Sequence, residues 1–206
     1  MITAYEALER LREGNRRFAS GATRPRGTEL EGRRAELLDG QNPFAVVLAC
    51  SDSRVPVEMV FDQGLGRLFV VRVAGNLVGP TLTGSIEFAA SKIGTPLVVV
   101  LGHSDCGAVK ATVGEMRKPT AGISPNLKAI VDFVRPSVER VLAVDPGCDE
   151  QSLVQQAVRA NVRAVVARLR RDSALLKTLI EKEGLLVVGA EYSLETGEVT
   201  FMDGGR

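Results

Sequence analysis

The residues with chemistry to offer lie at the ends of two apolar runs. Phe44-Ala45-Val46-Val47-Leu48-Ala49 leads into Cys50-Ser51-Asp52-Ser53-Arg54, and Leu97-Val98-Val99-Val100-Leu101-Gly102 leads into His103-Ser104-Asp105-Cys106-Gly107. His103 is the one histidine in 206 residues. Two thiolates and an imidazole form a donor set suited to Zn2+, whose preferred shell is tetrahedral nitrogen and sulfur. Three protein donors leave a fourth position for water, the pattern of a catalytic rather than a structural zinc. In open α/β sheets, ligands bind beyond the carboxyl ends of the strands, where strand order reverses. Cys50, His103 and Cys106 therefore converge if the first and third strands are neighbours. Two competing readings explain less. Buried cysteine is common as a small apolar residue, but that does not account for a His-x-x-Cys at a second strand end. A redox pair is expected as Cys-x-x-Cys and leaves His103 without a task.

Asp52 and Arg54 share the loop that carries Cys50. The plain reading is a salt bridge. Beside a zinc the pair gains a role, because a guanidinium fork holds a carboxylate ionised and oriented. Asp52 then accepts a hydrogen bond from a zinc-bound hydroxide and aims its lone pair at a substrate. Swung inward, Asp52 instead occupies the fourth metal position and switches the site off; both arrangements are compatible with the sequence. Zinc with two thiolates is formally neutral, so it acidifies water less than zinc held by three imidazoles, where the bound water has a pKa of about 7.

Composition permits such an enzyme and excludes several other classes. A chain of this length fits a single domain with a real core, and 45% hydrophobic with 25% charged residues is ordinary for a globular protein. A net charge of +1 offers no field for nucleic acid or an anionic membrane. The apolar runs reach about six residues, against roughly 18 for a membrane span. The first twenty residues read as an amphipathic helix without a signal-peptide core, so a cytoplasmic location is expected. Three cysteines, an odd number, argue against a disulfide framework. Cys148 reads as a free loop thiol.

The elements that must position the site alternate strand and helix. Thr3 and Glu6 fit a capping box for a helix carrying Leu8, Leu11 and Phe18 on one face. Gly21 to Gly27 reads as a loop and Leu30 to Leu38 as a short helix. This N-terminal helical arm, residues 1–40, has nothing local to pack on, so it projects to dock on the main body or on a second subunit. Strands are expected at Phe44 to Ala49, Arg67 to Val73, Leu97 to Leu101 and Leu185 to Tyr192, with an edge strand at Val199 to Met202. Apolar runs without alternation suit a parallel sheet buried on both faces. Helices are expected at Val57 to Phe61, Ser85 to Ile93 and Gly107 to Met116, with Gly114 to Asn126 as a loop. A further helix over Leu127 to Leu142 should be bent or divided by Pro136. Ser152 is expected to cap the next helix and Ser173 the one that ends near Gly184. The fold class is α/β, a mainly parallel central sheet flanked by helices, with residues 1–206 as a single domain whose α/β core is 41–206. Gly64-x-Gly66 lacks the third glycine of a dinucleotide fingerprint and reads as a turn. Arg168, Arg170 and Arg171 suit a solvated helix end that favours the helix dipole.

These motifs are similar to those of the β-class carbonic anhydrases. The likeness rests on Cys50-Ser51-Asp52-Ser53-Arg54 with His103-Ser104-Asp105-Cys106-Gly107. It extends through Phe61-Asp62-Gln63-Gly64, Val71-Arg72-Val73-Ala74-Gly75-Asn76, Gly84-Ser85-Ile86-Glu87-Phe88 and Gly189-Ala190-Glu191-Tyr192 with Thr196-Gly197. The resemblance implies one Zn2+ per chain on Cys50, His103 and Cys106, with Asp52 and Arg54 as a catalytic dyad. It implies reversible hydration of CO2 to bicarbonate and a proton by zinc-bound hydroxide. It also implies a homodimer or homotetramer in which the N-terminal helices embrace a neighbour. Members with a bicarbonate-sensing pocket carry a Trp where this chain has Val47, although Arg72 and Tyr192 match the other two positions. Members without that pocket carry a Gln in the place of Gln41, read here as a substrate-site residue reaching across a dimer interface. Phe69, Ala74, Phe88 and Gly107 complete the expected substrate pocket, with Phe88 where plant-type members often carry Tyr. With His103 on the metal, no histidine remains as a proton shuttle. Two alternatives use the same site: hydrolysis of carbonyl sulfide or carbon disulfide, and a zinc-binding scaffold without turnover.

Overall fold

The computed structural model describes residues 2–23 and 29–202, with backbone alone for residues 29–32. Part of the loop expected over Gly21 to Gly27 lies outside the described residues. Helix α1 (Ala4–Ala19) opens with the expected capping box: Thr3 Oγ1 accepts from the Glu6 N–H at 3.2 Å, and Glu6 Oε2 accepts from the Thr3 N–H at 2.6 Å. Of the two docking surfaces expected for this helix, the structure shows the chain's own body. Ala7, Leu8 and Leu11 are buried in one cluster with Val47, Val99 and Val188. Asn15 fastens the helix further, its Nδ2 donating to the carbonyls of Val60 and Gly197 and its Oδ1 accepting from the Val199 N–H. Helix α2 (Glu29–Glu36) follows.

Five strands form the sheet: β1 (Ala45–Ala49), β2 (Leu68–Arg72), β3 (Leu97–His103), β4 (Leu186–Tyr192) and β5 (Val199–Met202). Their order is β2-β1-β3-β4-β5, parallel except for β5, which runs antiparallel to β4. Every residue of β1 and β3 is buried, as expected for strands covered on both faces. From β1 the chain first moves out to β2 and then returns to place β3 on the other side of β1, so strand order reverses between β1 and β3. Ala49 pairs with Leu101, which sets Cys50 just beyond the end of β1 and His103 at the same end of adjacent β3.

Helices α3 (Val57–Val60), α4 (Pro80–Phe88), α5 (Gly107–Arg117), α6 (Pro125–Val144), α7 (Glu150–Asp172) and α8 (Ala174–Glu183) fill the connections. The face away from α1 is covered by α7, α8 and α4. There Val162, Val165, Val166 and Leu169 of α7, Leu176 and Leu179 of α8 and Ile86 of α4 bury Val46, Leu48, Val98, Val100 and Val187. A third cluster joins α5, α6 and α7 around Cys50 and Cys106. Gly102 is required where α7 crosses β3: a Cβ there would lie 2.6 Å from Val162 Cγ2.

Four expectations need correction. Helix α4 starts at Pro80 rather than Ser85, with the proline at a first-turn position where its missing N–H costs nothing. The loop expected from Gly114 is shorter, because α5 runs to Arg117 and α6 begins at Pro125 behind the Ser124 cap. Helix α6 runs unbroken through Pro136, so of the bend or division expected of that proline the division does not occur. Pro136 is exposed, so the carbonyl it strands faces solvent, and buried Val131, Val134, Val138 and Val141 hold the helix down on either side. The cap of α7 is Asp149, whose Oδ1 accepts from the Ser152 N–H at 3.0 Å. Ser152 sits three residues inside and donates its hydroxyl to Asp149 Oδ2. A carboxylate serves at that terminus at least as well as a hydroxyl.

Candidate metal centre

Strand β1 runs out at Ala49 and delivers Cys50; β3 carries His103 as its last residue. The chain then turns through Asp105, at φ 60, so that Cys106 stands at the N-cap of α5. The turn is tied to β4 by the Ser104 N–H donating to the Tyr192 carbonyl and by Ser104 Oγ accepting from the Leu194 N–H. All three side chains are buried. One ligand atom from each of Cys50, His103 and Cys106 lies within 4.8 Å of the others.

The donor chemistry fits a zinc ion. His103 Nδ1 lies 2.9 Å from the Ser104 carbonyl, which fixes the proton there and leaves Nε2 as the free lone pair. Nε2 is fully buried and has no hydrogen-bond partner, a costly state for an imidazole nitrogen unless it has a further task. The two thiols conflict in the same way. The adjacent Cys106 thiol foremost, with the nearby His103 ring and the Gly75 N–H, holds Cys50 well below the usual thiol range, while the neighbouring Cys50 and burial push Cys106 up. One thiolate can be accommodated there alone; a second requires a cation. A divalent ion with affinity for sulfur removes both penalties.

The loop after Cys50 is clamped from β2. Arg72 Nε donates to the Cys50 carbonyl at 3.0 Å and its Nη2 to the Asp52 carbonyl at 2.7 Å. Asp52 lies in the fork of Arg54: Nε to Oδ1 is 3.0 Å, Nη2 to Oδ2 is 2.8 Å, and the Arg54 backbone N–H reaches Oδ1 at 2.9 Å. These bonds, with the Arg54 side chain foremost, hold the Asp52 carboxyl well below the ordinary carboxylate range. Asp52 Oδ2 stands 3.8 Å from His103 Nε2, at the edge of the donor set. Of the two arrangements expected, the structure has the carboxylate on Arg54. Arg54 also reaches the Asp105 carbonyl at 3.3 Å and its carboxylate at 3.4 Å, and Asp105 is in turn paired with Lys110. Lys110, followed by Arg54, lowers the Asp105 carboxyl.

The expected substrate residues scatter. Ala74 and Gly107 lie next in sequence to residues of the centre, Gly75 and Cys106. Phe69 sits in the middle of β2, opposite Val46, with its ring 6.5 Å from that of exposed Phe88. Gln41 is exposed and precedes β1, whereas Cys50 follows it, so the five residues of β1, ~16 Å of strand, separate them. Sequence reasoning did not give roles to Gly75 and Arg72 at the centre. The Gly75 N–H donates to Cys50 Sγ at 3.3 Å, and the signal for it in the sequence is a Gly-Asn pair shortly after the end of β2. Val47 is buried in the core and Tyr192 packs on Phe18 at 6.3 Å.

Comparison with known proteins agrees with the geometry. The family model described as carbonic anhydrase matches residues 45–199. Carbonic anhydrase 2 of Mycobacterium tuberculosis is 38% identical over 202 residues, covering 98% of this chain and 93% of that protein. The carbonic anhydrase of Mycolicibacterium smegmatis is 39% identical over 200 residues, covering 96% and 91%. Among solved structures, a β-carbonic anhydrase of the fungal pathogen Aspergillus fumigatus superposes with a TM-score of 0.75 at 26% identity, over 87% of this chain and 86% of that one. By sequence and by fold, the chain belongs to the carbonic anhydrase family, in its β class.

Proposed function

We propose that Cys50, His103 and Cys106 hold one Zn2+ and that this centre runs the family's reaction, the reversible hydration of CO2 to bicarbonate and a proton. The observation that carries the reading is the buried, unpartnered Nε2 of His103 beside two crowded thiols, with an ionised carboxylate 3.8 Å away. Zinc, when bound, supplies the Lewis acidity that makes water a nucleophile near neutral pH. Every other part is the chain's own. Arg54 keeps Asp52 ionised and aimed, and Asp52 Oδ2 accepts the hydrogen bond that orients the attacking water. Arg72 holds the Cys50 to Asp52 backbone against slippage. Burial of the donors excludes bulk water from the thiolates.

The substrate side of the reading needs a second copy of the chain. Gln41 stands on the far side of β1 from Cys50, so a role for it at the centre requires a neighbour's centre, as in a homodimer or a tetramer built on one. Ala74 and Gly107 would then line the inner wall of the pocket, and Phe69 and Phe88 its apolar rim. Among the described residues no helix is long and apolar enough to cross a membrane, in keeping with the cytoplasmic location included in this proposal. No observation favours carbonyl sulfide, carbon disulfide or a silent scaffold. Removal of metal by a chelator is expected to abolish CO2 hydration and one equivalent of zinc to restore it. Turnover that survives complete metal removal would contradict the proposal.

A further inference from the structure

Gly75 stands between the metal centre and the helix layer. Its N–H donates to Cys50 Sγ at 3.3 Å, and its carbonyl accepts from Asn161 Nδ2 at 2.9 Å. Asn161 comes from the middle of α7, far away in sequence. It is 1% exposed and lies on a helix face made of Val158, Val162, Val165 and Leu169. An amide among valines is costly unless it is hydrogen-bonded, and its Oδ1 has no partner. What Asn161 gains is the bond to Gly75. The turn it holds is unusual, with Gly75 at φ 73 and Asn76 at φ 45. Left-handed residues in succession persist where the surroundings over-determine them. The Nδ2 of Asn76 is buried without a partner, so that side-chain nitrogen lends the turn no hold.

We propose that Asn161 is a positioning residue of the metal centre: by holding the Gly75 carbonyl, it keeps the Gly75 N–H on Cys50 Sγ. The inference rests on the zinc reading of Cys50, His103 and Cys106. An N–H donated to a thiolate draws charge from the sulfur and fixes its direction, which tunes how strongly it binds a metal. Asn161 acts through Gly75 and touches no reacting atom.

The test compares the intact protein with Asn161→Ala and the isosteric Asn161→Asp. Val165→Ala serves as a control, an equally buried α7 residue without a bond to the turn. Zinc affinity is read by chelator competition, and the near-ultraviolet sulfur-to-metal band by cobalt substitution. The Asn161 variants are expected to bind zinc about tenfold more weakly and to shift the cobalt band. Val165→Ala, at a comparable loss of melting temperature, should keep both. Asn161 variants that match Val165→Ala in affinity and band would overturn the inference, and so would failure of both variants to fold, which would make the role purely structural. Zinc absent from the unaltered protein would sink the zinc reading itself, a result distinct from unchanged affinity in a zinc-loaded variant.

Discussion

At the scale of single residues, the proposed chemistry turns on Asp52, a carboxylate held in the fork of Arg54 and assigned the task of orienting water. Replacing Asp52 by Ala is expected to leave one zinc per chain and to lower kcat by about a hundredfold or more. Unchanged kcat, measured by stopped flow with zinc content assayed in parallel, would remove Asp52 from the mechanism. Its ion pair also carries a pH signature. The folded-state pKa of Asp52 is depressed, chiefly by the Arg54 side chain. The stability it contributes is therefore complete above the unfolded value, about 3.9, and is lost as pH falls through the lower folded value. The stability gap between the parent and Asp52→Asn, from urea titrations, should be full at pH 7 and close below about pH 4. A gap that widens in acid would contradict this. The thiolates set a second signature. A neutral two-sulfur zinc site acidifies water weakly, so hydration should rise with pH and reach its midpoint above about 7. A profile already flat at pH 6 would exclude it.

At the scale of elements, the centre depends on how closely α7 approaches β3 and β4. Gly102→Ala, with its Cβ 2.6 Å from Val162 Cγ2, is expected to cost about 1–3 kcal/mol. Pairing it with Val162→Ala should recover part of that loss in a double-mutant cycle; strict additivity would show that the crowding is not there. Much of this scale was legible in the chain. Unbroken apolar runs marked β1 and β3 as buried strands, and the cysteine and histidine at their ends are among the three potential ligands that the structure brings together. The Asp149 cap and the start of α4 at Pro80 were misplaced because several residue types compete for a helix start within one turn. The persistence of α6 through Pro136 was not legible, because it depends on valines packing against other helices. The bonds of Gly75, Arg72 and Asn161 to the centre were hidden for a similar reason. They join residues 22 to 86 positions apart through backbone groups, which leave no mark on residue types.

At the scale of the whole molecule, the two ends of β1 pose the question. Cys50 lies at one end and Gln41 beyond the other, so a shared site implies a second chain. Gln41→Ala and Asp52→Ala proteins, each depressed alone, should regain activity on mixing. A hybrid dimer has one site with an intact Asp52 and its partner's intact Gln41, so random exchange should restore roughly a quarter of parental activity. No recovery after verified exchange would confine Gln41 to a role in its own chain. The most direct measurement of the central claim is stopped-flow CO2 hydration at a pH of about 8.5, above the expected midpoint, on protein of assayed zinc content. The account predicts turnover far above buffer that scales with zinc up to one equivalent per chain. Protein carrying one zinc per chain with no CO2 turnover at any pH would contradict it.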